Sequence, residues 1–245
     1  MTDRSTGPAR VPTLAAGIAT ASDADAGDIL KQAGIEPRAD PQPRTPRATP
    51  QRKRGIASRE LLLTAARAVL EKGTLSDLTA THIAARAGIS RAAFYLYFED
   101  LQHLLLELAE AASKPFQALA DNLRSAADAN MPDQEWSAML VDGYIDAWGQ
   151  DAGILLFRNL ESDRGDQRFT TLRIQTLLPL VQVLVVRLLK AKPALPPEEA
   201  LIEAGMIIAM CGQIAIQKSS PGTRITEMPN AALCNVISRM IASDP

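Results

Sequence analysis

The side chains with the most readable chemistry lie close together, between Thr79 and Phe98. Thr79 and Ser90 bring hydroxyls, Tyr95 and Tyr97 bring phenols, and Arg91 brings a planar guanidinium. Hydroxyl and phenol groups donate to phosphate oxygens and set register, whereas an arginine fork matches the O6/N7 edge of guanine. The small Ala92 and Ala93 would let a backbone approach closely or touch a thymine methyl. Such groups are suited to holding and reading a nucleic acid. Two roles stay open on the residues alone. Arg91 could contact only phosphate, and Tyr97 could pack against a neighbouring helix.

Such groups work only if short helices present them. Thr79 is placed to cap one helix that ends at Gly88, and Ser90 to cap the next, Arg91 to Phe98. The small Ala84 allows close crossing, Gly88 can take a positive φ, and Ile89 plugs the corner. Phe94 and Phe98, four apart, face inward while Arg91, Ala92, Tyr95 and Leu96 or Tyr97 face out. This is helix-turn-helix geometry, with the second helix directed at a major groove. A preceding helix is predicted from Ser58 to Lys72, its buried face made of Leu62, Ala65, Ala66, Val69 and Leu70 and its stop supplied by Gly73.

The order of these features resembles the DNA-binding signature of the TetR family: a capped helix, the pair Ile83-Ala84, the turn Ala87-Gly88, the cap Ser90 and the close Tyr95 to Phe98. The wording from Gly88 to Phe98 is particularly similar to the branch that includes the repressor of the ethionamide-activating monooxygenase. Residues 58–110 carry the likeness. It implies a dimeric, ligand-responsive repressor of a pseudo-palindromic operator, with Thr79, Ser90, Arg91, Ala92, Tyr95 and Tyr97 at the DNA. One departure stands out. Where the family usually has a lysine at the start of the next helix this chain has Leu101, between Asp100 and Gln102, so a phosphate contact is lost. Helix N-terminal amides need no side chain to hold phosphate.

Charge distribution agrees with a DNA-binding head. The net charge is only -2, yet residues 44–104 hold ten basic and five acidic side chains, and residues 105–245 hold 12 and 17. Arg44, Arg47, Arg52, Lys53 and Arg54 read as a flexible basic arm for phosphate or minor-groove contacts, or as a solubilising linker. Residues 1–43, rich in Ala, Pro, Asp, Gly and Thr, read as a disordered extension that cannot offset its ordering entropy. The expected organisation is therefore an extension (1–43), an arm with a helix-turn-helix domain (44–104), and a ligand-binding and dimerisation domain (105–245).

The rest of the chain reads as helix without strand alternation, so the fold class is all-α with about nine helices. Helix four runs from Asp100 through Leu123 past Pro115; helices five to nine span 133–150, 152–161, 167–191, 197–218 and 226–242. Trp136, Met139, Leu140, Tyr144 and Trp148 form one face of helix five. Periodicity alone reads that face as core. The resemblance implies a cavity between helices four, five, seven and eight, lined also by Phe116, Phe157, Leu172, Gln175, Thr176, Met206, Met210 and Gln213, for a small apolar or amphipathic effector. Gly143 and Ala147 are positions where a tryptophan is expected to fill it. Helix eight is apolar nearly all round and needs partners on both sides, helix nine on one and a second subunit on the other.

Other classes find little support. There is no glycine-rich phosphate loop, no Gly-x-Ser-x-Gly elbow and no Cys-x-x-Cys, so an enzyme is disfavoured and no cofactor or metal is expected. His103 and Glu107, four apart, read as a solvated helix face. A DNA-binding protein without a ligand is the remaining rival. Cys211 and Cys234 sit in apolar patterns and read as reduced thiols. No apolar signal stretch opens the chain, and the longest apolar runs, 177–189 and 201–216, fall short of the roughly 20 residues of a membrane span. A cytoplasmic location is expected.

Overall fold

The computed structural model describes residues 50–72, 78–219 and 229–242. Among them are nine helices and no strand: α1 (Pro50–Lys72), α2 (Ala80–Arg86), α3 (Arg91–Phe94), α4 (Leu101–Asp128), α5 (Asp133–Gln150), α6 (Ala152–Asp163), α7 (Gln167–Ala191), α8 (Pro197–Lys218) and α9 (Asn230–Ile241). The all-α expectation holds. Residues 1–43, with Arg44, Arg47 and Gly73, lie outside the described residues.

Helix starts follow local chemistry. Thr79 Oγ1 accepts from the His82 amide at 3.1 Å, Ser90 Oγ from Ala93 at 3.1 Å, and Asp100 Oδ1 from His103 at 2.6 Å. Each cap satisfies an amide with no helical partner, for about 1 kcal/mol. Asp166 caps α7 through the Arg168 amide at 3.0 Å. Its carboxyl is held below the usual range, chiefly by the Arg168 guanidinium.

α4 is the central strut. It packs on α5, α6 and α7, with Leu104, Leu108, Ala112, Phe116, Leu119 and Leu123 buried along it. Pro115 is accommodated inside the helix, where it removes one backbone hydrogen bond. Trp136 is pinned by its indole N–H to the Leu123 carbonyl at 3.0 Å. Phe116 meets Tyr144 edge-on at 5.1 Å, and Phe157 meets Phe169 at 5.7 Å.

Several expectations are revised. α1 begins at Pro50, so the backbone of Arg52, Lys53 and Arg54 continues a helix instead of forming a free arm. α3 is one helical turn. Beyond Phe94 the chain tightens, with the amides of Leu96 and Tyr97 bonded three residues back, at 3.2 and 3.0 Å. α9 packs chiefly on α5 and not on α8. Gln134 reaches Asn235 at 2.8 Å and Asn230 reaches Asp142 at 2.6 Å, tying it there. α7 and α8 are long and apolar enough to cross a membrane, with 25 and 22 residues and a mean hydropathy of 1.6 in their most apolar stretches. Here they pack against each other, α7 also on α4 and α6, α8 also on α5.

Candidate nucleic-acid interface and effector cavity

At the head, Gly88 has φ +71°, and the amide of Ile89 returns to the Ala84 carbonyl at 3.0 Å. That left-handed turn sets α3 across α2, and glycine takes it without strain. Ile83, Ala84, Phe94 and Phe98 close the core. Thr79, Ser90, Arg91, Ala92 and Tyr95 are exposed, and Tyr95 retains 48% of its surface. The caps leave their hydroxyls useful: each oxygen accepts from an amide while its proton remains free to donate to a phosphate. Tyr97 is different. It is half-buried, with its ring alongside Gly55 of α1, so it braces the head as well as reaching its edge. Nothing is described of the side chains of Arg52, Lys53 and Arg54. Leu101 is half-buried against the core.

Several contacts among the described residues join the head to the body. Arg59 forms a two-pronged ion pair with Glu107 of α4 and lies over the Phe98 ring at 5.0 Å. This takes Glu107 out of any partnership with His103, whose ring meets Phe98 at 5.7 Å. Arg67 pairs with Asp151 ahead of α6. Gly153 of α6 abuts α1 so closely that a Cβ there would stand 2.8 Å from the Leu70 carbonyl oxygen.

In the body, a cavity of about 410 Å³ lies between α5, α6, α7 and α8, within the size range of small-molecule sites. Tyr144 and Trp148, Leu177 and Val181, and Ile208 and Ile216 line it, with Gln213 at its edge. The expected wall α4 is replaced by α6, which contributes Arg158 and Asn159. Phe116, Trp136, Leu140 and Phe157 are buried in the surrounding core, and Met139, Leu172 and Met210 are half-buried. None of these seven lines the cavity. Thr176 supports it by accepting from Arg158 Nη1 at 3.3 Å. Gln175 and Met206 are exposed. Gly143 and Ala147 do not line it either, and a Cβ at Gly143 would collide with Leu119 at 2.5 Å.

Sequence reasoning missed Arg158, which is 1% exposed. Burial pulls its pKa down to about 10, and Arg173 pushes the same way. Burial also pushes the Tyr144 phenol well above its ordinary value. The spacing of Arg158, four and three places after Ile154 and Leu155, puts it on one face of α6 with them, but spacing alone does not mark a charged residue as buried. Cys211 is buried and its thiol is raised to about 12, which keeps it protonated and unreactive.

A three-helix, one-turn head with exposed hydroxyl, phenol and guanidinium groups on a larger helical body defines a DNA-binding transcription regulator. Residues 62–108 match the model for bacterial regulatory proteins of the tetR family, and residues 126–241 match a tetracyclin repressor-like C-terminal domain. The chain belongs to the TetR family and is a regulator, not an enzyme. Among similar solved structures is a Rhodococcus sp. RHA1 protein of unknown function, 20% identical, at TM-score 0.58, covering 82% of this chain and 97% of that one. The fatty acid degradation regulator FadR from Bacillus halodurans is 16% identical at TM-score 0.53, covering 80% and 96%. FadR from Bacillus subtilis in complex with stearoyl-CoA is 16% identical at TM-score 0.53, covering 75% and 97%. These likenesses speak to the fold. No curated protein matches the sequence.

Proposed function

We propose that this protein is a homodimeric, effector-responsive repressor that binds a pseudo-palindromic operator and releases it when a small amphipathic molecule fills the cavity. One observation carries the ligand response. α6 lines the cavity with Arg158 and Asn159, and on the same rigid helix Gly153 presses on Leu70 of α1. A ligand that moves α6 must therefore move the head. The Bacillus subtilis regulator held with stearoyl-CoA supports the idea that this architecture accommodates a ligand.

At the DNA, Arg91 reads a base edge, Thr79, Ser90, Tyr95 and Tyr97 hold phosphates, Ala92 permits close approach, and Arg52, Lys53 and Arg54 extend the contact from the first turns of α1. The dimer face is the exposed stripe of α8. Ile202 (63% exposed) and Met206 (54% exposed) stand four apart and leave apolar surface in water, beside Gly205 and Ala209, which also line the cavity. Val236 of α9, 38% exposed, extends it. A symmetric pair of such faces would match the two-fold symmetry of the operator. We place the protein in the cytoplasm with its DNA. Its assignment to the ethionamide-repressor branch rests on residues 88–98 alone.

Selection from a random duplex library tests this reading. The expected product is a two-fold symmetric consensus bound by a dimer, with affinity falling steeply with salt, by a log–log slope of about −0.9 per phosphate contacted. Recovery of a single asymmetric half-site bound by a monomer would refute it.

A further inference from the structure

The described residues include two buried arginines, and their surroundings differ. Arg187 is neutralised: Nη2 and Nε meet Asp133 Oδ1 at 2.5 and 3.0 Å, and Nη2 also reaches the Met131 carbonyl at 2.6 Å. Arg158 meets only neutral acceptors. Its Nε and Nη2 reach Asn159 Oδ1 at 3.2 and 3.1 Å, and its Nη1 reaches Ser113 Oγ at 3.2 Å and Thr176 Oγ1 at 3.3 Å. Those two hydroxyls give their own protons to the carbonyls of Ala109 and Leu172, each at 2.7 Å. Their lone pairs are thus turned toward the guanidinium. Of its five N–H groups, one on Nη2 is left over. No carboxylate among the described residues pairs with Arg158, and the neighbouring cation Arg173 is itself paired with Asp163 at 2.8 Å.

A guanidinium taken out of water without a counter-ion is costly, and proteins rarely keep one without use. Arg158 lines the cavity, as does Tyr144, whose neutral phenol has a proton to donate. Arg173 also lines the cavity, its charge balanced by Asp163, with Asn159 and Gln213; the rest of the lining is apolar, with Trp148, Leu177, Val181 and Ile208 prominent.

We propose that the effector is an amphipathic monoanion, a carboxylate whose head pairs with Arg158 and whose apolar body lies against Trp148, Leu177 and Val181. One unpaired cation with few free donors balances a single negative charge, whereas a phosphate dianion would ask for more. The apolar walls exclude a small hydrophilic anion. This assignment narrows the apolar or amphipathic effector that the family resemblance implies, and it rests on the cavity being the effector site.

The test follows Trp148 emission in a Trp136→Phe background, during titration with octanoate, decanoate and 4-phenylbutyrate against octanamide at pH 7 and constant ionic strength. At least one carboxylate should bind ten-fold or more tightly than the amide. Arg158→Met should abolish that preference while the melting temperature stays level or rises, because a desolvated charge has been removed. If Arg158→Met does not fold, the carboxylate-to-amide ratio in the Trp136→Phe protein and in Arg158→Lys still decides. Equal affinity for acid and amide, or failure of all three acids to bind, overturns the inference. Operator release is read in parallel. A carboxylate that binds through Arg158 without displacing DNA leaves this inference standing and removes the switch, whereas release by the amide as effective as by the acids overturns the inference.

Discussion

Individual side chains divide the head into readers and braces. Arg91 is exposed and carries no ion pair among the described residues, so its guanidinium is free for DNA. Arg91→Ala should weaken operator binding by about 1–3 kcal/mol and relax preference at one base position if the contact is bidentate. Competition binding on single-substituted operators checks this, and unchanged selectivity would reduce Arg91 to a phosphate contact. Tyr95 and Tyr97 look equivalent in the sequence but are not equivalent in space. The first is half in water, while the second rests beside Gly55 and contributes to the fold as well as to the edge of the interface.

Helix packing decides how the two halves communicate. α6 has twelve residues and touches both the cavity and α1, and the intimacy of that second contact depends on Gly153. Gly153→Ala adds up to about 1 kcal/mol of helix propensity. It also places a Cβ 2.8 Å from a backbone oxygen, and overpacking of that kind costs about 1–3 kcal/mol. The expected result is a lowered operator affinity from a shifted head, with a smaller effect on melting temperature. Gly149→Ala is the control, since its Cβ would meet nothing within 4 Å. Should both variants bind DNA like the parent, α6 is not the connection between cavity and head.

The molecule as a whole is left with an uncovered stripe. α9 lies on α5, and among the described residues the outer face of α8 is left exposed at Ile202 and Met206. Met206→Asp should place a charge in the proposed two-fold interface, convert the dimer to monomer in sedimentation, and reduce operator affinity by the loss of the second head. Fold content by circular dichroism should be unchanged, because the side chain is 54% exposed within one chain. A dimer that survives Met206→Asp together with Ile202→Asp would place the interface elsewhere.

Sequence by itself determined what local chemistry and periodicity control. The bounds of α5, α7 and α8 agree with their expected ranges, because a proline or aspartate sits at each start and an apolar face runs through each helix. The caps at Thr79 and Ser90 and the turn at Gly88 are equally legible, since each is a bond or a φ angle within a few residues. Tertiary structure alone decided which faces meet. Periodicity marks a face as apolar without naming its partner, so it predicts α9 against α8 where α9 packs chiefly on α5, and it does not foresee that α6 lines a cavity. The same limit hid Arg158. An arginine in a helix reads as a solvated charge until neighbouring helices are in place, and only the arrival of Ser113 from α4 and Thr176 from α7 shows that it is buried, held and without a counter-ion.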